Sequence, residues 1–167
     1  MNRRTIRTLA TALSVTAALA ISGCSSDSGS GSDSGGKAAA DKPKPTVSGA
    51  FMPEPVNDKM AGAFMVIKND SKTADKLTAV TSPLSDDLQI HETKDQKMQQ
   101  VPSMDLPANG ELKLERGGNH IMFMGLKDKP KVGDKVTIEL RFEKADPVKV
   151  ELDVKERTYQ AQNTNAH

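Results

Sequence analysis

Between residues 46 and 158 apolar positions recur every second residue, in short runs separated by turn-forming residues. Val136, Ile138, Leu140 and Phe142 alternate with polar side chains, and beyond Lys144-Ala145-Asp146-Pro147 the alternation resumes at Val148, Val150, Leu152 and Val154. Successive strand residues project to opposite faces, so this pattern predicts an antiparallel hairpin with one buried and one wet face. Glu111 to Glu115 places Leu112 and Leu114 inward in the same way. Ala63 to Lys68 is almost wholly apolar and predicts a strand closed by the turn Asn69-Asp70-Ser71. Lys76–Thr81 and Leu88–Glu92 predict two more, with Pro83 in the loop between them. No segment carries a sustained stripe of helical period. The expected fold is all-β, an antiparallel sandwich or barrel.

The ends read differently. Arg3, Arg4 and Arg7 precede a segment from Leu9 to Ile21 rich in Ala, Leu, Val and Ile. That order is the pattern of an export signal, and the segment is too short for a permanent membrane span. It closes with Ile21-Ser22-Gly23-Cys24, which resembles the lipobox of bacterial lipoproteins. The resemblance implies cleavage after residue 23, lipidation of Cys24 and an extracytoplasmic protein held to the cell membrane by its lipid. The Arg3-Arg4 pair leaves the twin-arginine route open beside the general one. Residues 24–45, first Ser, Gly and Asp and then Lys-Pro steps, predict a flexible linker. Residues 46–158 form one domain of ordinary size, and residues 159–167 a polar tail expected to fray.

Composition narrows the chemistry. Cys24 is the single cysteine, so the domain can build no disulfide, no thioredoxin-like centre, no blue-copper site and no thiolate zinc site. Loss of residues 1–23 removes three of the 23 basic residues and leaves 20 against 22 acidic ones, a net charge of −2. With no basic run and only four Phe, one Tyr and no Trp, nucleic acid is not an expected partner. Neither a nucleophile elbow nor a Gly-rich phosphate loop is present, and no enzyme activity is expected.

One stretch carries a distinct chemistry. In Gly117-Gly118-Asn119-His120-Ile121-Met122-Phe123-Met124, the side chains of His120, Met122 and Met124 share one face of a strand. An imidazole beside neutral thioethers suits monovalent copper better than zinc, calcium or magnesium. His91 ends another apolar run, with Met98 a short distance on. A four-residue loop at 93–96 pairs Glu92 with Lys97 and sets His91 directly opposite Met98. His91, Met98, His120 and Met122 then offer two nitrogen and two sulfur donors for one Cu(I). Met104 is the substitute for Met98, with Met124 and His167 as possible accessory donors. Met65 is read as core, and Met52 and Met60 as loop or core residues.

These residues resemble the periplasmic copper A chaperone family. The family motif has a His, then a Met, about twenty-one residues, then His-x-Met. Here Met98 is followed by 21 residues and His120-Ile121-Met122. Leu106-Pro107-Ala108, Gly117-Gly118-Asn119-His120, Met124-Gly125-Leu126 and Gly133-Asp134 also fit, and the likeness extends over nearly all of residues 46–155. The sequence departs where six residues, not about ten, separate His91 from Met98, and where Glu92 follows His91. The resemblance implies a cupredoxin-like barrel and a monomer that takes Cu(I) from a donor protein. It implies delivery to the dinuclear copper subunit of cytochrome c oxidase. Copper sequestration for resistance, or a metal-free β-sandwich interaction lipoprotein, are the alternatives.

Overall fold

A computed structural model describes residues 42–161 of the 167-residue chain. The expected signal sequence, the lipidated Cys24, most of the 24–45 linker and His167 lie outside the described residues. Ten strands and no helix make up the described part: β1 (Thr46–Pro53), β2 (Met60–Asn69), β3 (Asp75–Thr81), β4 (Asp87–Lys94), β5 (Lys97–Val101), β6 (Met104–Leu106), β7 (Gly110–Leu114), β8 (His120–Met124), β9 (Lys135–Phe142) and β10 (Val148–Lys155). The all-β expectation holds.

Strand order is β5-β4-β8-β2-β1-β10-β9-β3-β6, with β7 on β2. All pairings are antiparallel except β1 with β10, which run parallel. The sheet is therefore mixed, with this one parallel pairing among antiparallel ones. β2 links two sets of strands along one edge. Its first half pairs with β8, Met60 to Ala63 opposite Met124 to Ile121, and its second half pairs with β7.

Alternation sets the core. Ala61, Ala63, Met65 and Ile67 of β2 point inward, as do Ile121 and Phe123 of β8, Ile90 of β4 and the inward rows of β9 and β10. Burying such side chains contributes about 1.5–3 kcal/mol each for the larger ones. Met52 and Met104 belong to this core, with Met65. At the far side, the buried Asp75 carboxylate accepts N–H bonds from Lys76, Lys144 and Ala145, which ties the β9–β10 turn to β3.

Two sequence boundaries move. Pro43 and Pro45, assigned to the flexible linker, are buried. Tyr159, assigned to the tail, packs edge-on against Phe51 with ring centroids 4.9 Å apart.

Candidate metal centre

Strands β8 and β4 pair residue for residue, with His120 opposite His91, Met122 opposite Gln89, and Met124 opposite Asp87. Directly paired residues share a face. Because Ile121, Phe123, Leu88 and Ile90 turn toward the core, His120, Met122, Met124, His91, Gln89 and Asp87 all lie on the opposite face. The imidazoles of His91 and His120 stand 5.4 Å apart between centroids. Phe64 of β2 flanks His120 at 6.3 Å, and His120 is only 5% exposed.

The β7–β8 turn holds His120. Gly117 has φ of +77°, a conformation that only glycine takes without strain. The turn brings the Gly118 carbonyl to His120 Nδ1 at 2.9 Å and to the Thr93 hydroxyl at 2.8 Å. Since that carbonyl can only accept, Nδ1 carries the proton and Nε2 keeps its lone pair. His91 is arranged in the reverse sense. Its Nε2 meets Gln89 Oε1 at 2.9 Å. The Gln89 amide nitrogen donates to both Asp87 carboxylate oxygens, at 3.1 and 3.2 Å, which fixes the amide oxygen toward the ring. His91 Nε2 is thus the N–H, and Nδ1 is the bare nitrogen. That Nδ1 is buried and has no hydrogen-bond partner. A buried polar atom without a partner costs about 1–3 kcal/mol unless something else satisfies it. Burial and, next, the charge of neighbouring His120 hold the His91 pKa below the ordinary imidazole value.

The expected β4–β5 register is off by two residues. Asp95 and Gln96, both with positive φ (50° and 63°), make a two-residue turn that pairs Lys94 with Lys97 and Thr93 with Met98. Gln100, not Met98, is opposite His91. The shift is two residues along β4, an even number, so Met98 remains on the His91 face, diagonally placed and 65% exposed. Met104 does not join them, because its side chain is packed in the core on β6, paired with Leu77. Met124 does lie on the His120 face, and His167 is outside the described residues. Among the described residues, no three His, Cys, Asp or Glu side chains cluster.

Sequence reasoning overlooked three residues on this face. Asp87 begins β4, and Gln89 bridges it to His91. Met60, set aside as loop or core, is 50% exposed and stands directly opposite Met124.

Residues 45–154 match the family described as LpqE-like, "Putative lipoprotein LpqE-like". The chain belongs to the LpqE-like family. The "Putative lipoprotein Lxx21020" of Leifsonia xyli subsp. xyli (strain CTCB07) is 35% identical over 102 residues. That match takes in 58% of this chain and 61% of the relative, so less than two thirds of the relative is covered. Among solved structures, the LpqE-like domain superposes on the apo PmoF2 PCuAC domain with a TM-score of 0.63 at 21% identity, covering 71% of this chain and 95% of that one. It also matches the CuI-DR1885 solution structure from Deinococcus radiodurans, with a TM-score of 0.58 at 30% identity, covering 74% of this chain and 85% of that one. The resemblance to the periplasmic copper A chaperone family and its cupredoxin-like fold is borne out by these matches.

Proposed function

We propose that the LpqE-like domain binds one Cu(I) through His91 Nδ1, His120 Nε2, Met122 and Met98, and carries it between partner proteins outside the cytoplasm. The observation that carries this reading is the pair of facing histidines. Each has one ring nitrogen committed to an oxygen acceptor and the other left bare, and the bare nitrogen of His91 is buried without a partner. Two neutral imidazoles with thioethers beside them form the donor set that monovalent copper prefers.

The relatives support the same reading. One solved neighbour is a PCuAC domain and the other carries CuI in its name. The family description and the Leifsonia relative support a lipoprotein, and with it an anchor at Cys24. Exposure of Met98 at the sheet edge suits transfer rather than storage, since a partner's ligands can replace it without unfolding anything. The acceptor in this proposal is the dinuclear copper subunit of cytochrome c oxidase. Four protein donors leave no open position for a substrate, so the domain acts as a carrier and not as an enzyme.

The test is an anaerobic Cu(I) titration of the chain from residue 25 onward against a chromogenic chelator. Beside it runs a His120→Ala/Met122→Leu variant. Wild type is expected to withhold one tight equivalent that the variant releases. Met122→Leu alone should change stability by less than about 1.5 kcal/mol, because the swap nearly conserves volume. Failure of wild type to compete for copper would refute the proposal.

A further inference from the structure

The methionines divide sharply by environment. Met52, Met65 and Met104 are core residues, 0%, 2% and 7% exposed. The other four described ones, Met60, Met98, Met122 and Met124, all lie on the face that carries the two histidines. Packing explains the first group. It does not explain why every described methionine outside the core shares one face, or why Met60 is half exposed beside Met124.

Cross-strand register brings three of these thioethers together. Met60 pairs directly with Met124, and Met122 lies two residues back along β8 on the same side. Directly opposite side chains start about 4.5–5.5 Å apart at Cβ, well within reach of flexible methionines. Opposite Met122 stands Gly62, which brings no side chain of its own and leaves its place to the Phe64 ring. A Cβ at Gly62 would come within 3.2 Å of the Phe64 ring. The backbone beneath the trio is fixed by bonds from Gly125 N to Lys59 O and from Leu126 N to Asp58 O, both 2.7 Å. Ser85 Oγ also donates to the Met124 carbonyl. Asp87 flanks Met124 from β4 and adds negative charge that favours a cation.

We propose that Met60, Met122 and Met124 form a second site for a soft monovalent cation, made of thioethers alone and sharing Met122 with the histidine site. The inference rests on the copper reading above and extends it to how the ion moves. Cu(I) arriving at Met60 and Met124 also binds Met122, and it exchanges those two sulfurs for the imidazole nitrogens while its bond to Met122 persists. Copper stays monovalent throughout and every donor is neutral, so the step needs no oxidant, reductant or proton acceptor. The same exchange in reverse releases the ion.

Ag(I), a redox-inert soft monovalent ion, is the probe, with methyl-13C methionine labelling of the chain from residue 25 onward. In wild type the first equivalent is expected to shift the Met98 and Met122 methyl signals, and the second those of Met60 and Met124. Met60→Leu should keep the first equivalent and lose the second. His91→Ala/His120→Ala should lose the first yet still shift Met60, Met122 and Met124. Met60, Met122 and Met124 signals that stay still in His91→Ala/His120→Ala, while wild type binds its first equivalent, would overturn this inference alone. A second equivalent surviving Met60→Leu would do the same, leaving Met60 as part of a protein-docking surface. If no equivalent binds in wild type, the histidine site falls as well.

Discussion

Gln89→Leu separates a metal-ready histidine from a merely buried one. Leucine keeps much of the side-chain volume but removes the oxygen that accepts from His91 Nε2 at 2.9 Å. A neutral hydrogen bond of this kind is worth about 0.5–1.5 kcal/mol net. Without it, the proton can move to Nδ1, the nitrogen the proposed copper site needs bare. That tautomeric bias alone is about 2- to 13-fold in affinity, from the same 0.5–1.5 kcal/mol. Loss of ring orientation adds to it, and hydrogen-bond partners of metal-binding histidines are generally worth about 10–100-fold. We therefore expect Cu(I) affinity to fall about tenfold, near the overlap of those two ranges. Asp87→Ala acts only through the Gln89 amide, across longer bonds of 3.1 and 3.2 Å at an exposed position, and its effect should be smaller.

Two assays read this out. Competition with a chromogenic chelator gives affinity, and long-range 1H–15N spectra of the metal-free protein report which ring nitrogen of His91 bears the proton. Wild type should show the proton on Nε2 of His91 and on Nδ1 of His120. Gln89→Leu should shift the His91 proton toward Nδ1 and leave His120 unchanged. An unchanged affinity together with an unchanged His91 tautomer would refute the role assigned to Gln89.

Asp75→Ala removes an acceptor shared by the amides of Lys76, Lys144 and Ala145. Only the Ala145 bond is fully buried, so at about 1–3 kcal/mol for a buried donor left unsatisfied the variant should lower unfolding free energy by about 1–3 kcal/mol in urea titrations. A loss under about 1 kcal/mol would show that water replaces the carboxylate. For His91, burial and the His120 charge depress the folded pKa, so between that value and about 6.5 the unfolded chain holds more protons. Its contribution to stability is thus complete above about pH 6.5 and is lost as pH falls toward the folded pKa. NMR titration of metal-free protein should place the His91 midpoint below that of free imidazole; a midpoint at or above it would contradict the burial.

What the sequence showed and what it hid follow one physical division. Strand alternation is local, so the β9–β10 hairpin and the shared face of His120, Met122 and Met124 could be read directly. In β1 the alternation breaks at a register shift between Ser48 and Phe51, with Gly49 at φ +61°. Phe51 and Met52 are consequently both buried, and the period-two signal disappears. Register between strands is set by turns, and Asp95-Gln96 lacks the glycine that usually marks a two-residue hairpin turn. A longer loop was therefore the natural expectation. Contacts between distant strands have no local signal. Met60 and Met124 are neighbours through β2–β8 pairing, yet Met60 follows Asn57-Asp58-Lys59 and looks in sequence like the end of a loop. The donors on one strand were legible, while the glutamine that orients His91 and the methionine that extends the sulfur row depend on strand limits and pairing. The proposed copper site, spread across β2, β8, β4 and β5, is thus only half encoded in any single motif. The other half lies in the turns that align those strands, and for this reason a shortened β4–β5 hairpin can still leave Met98 on the face of His91.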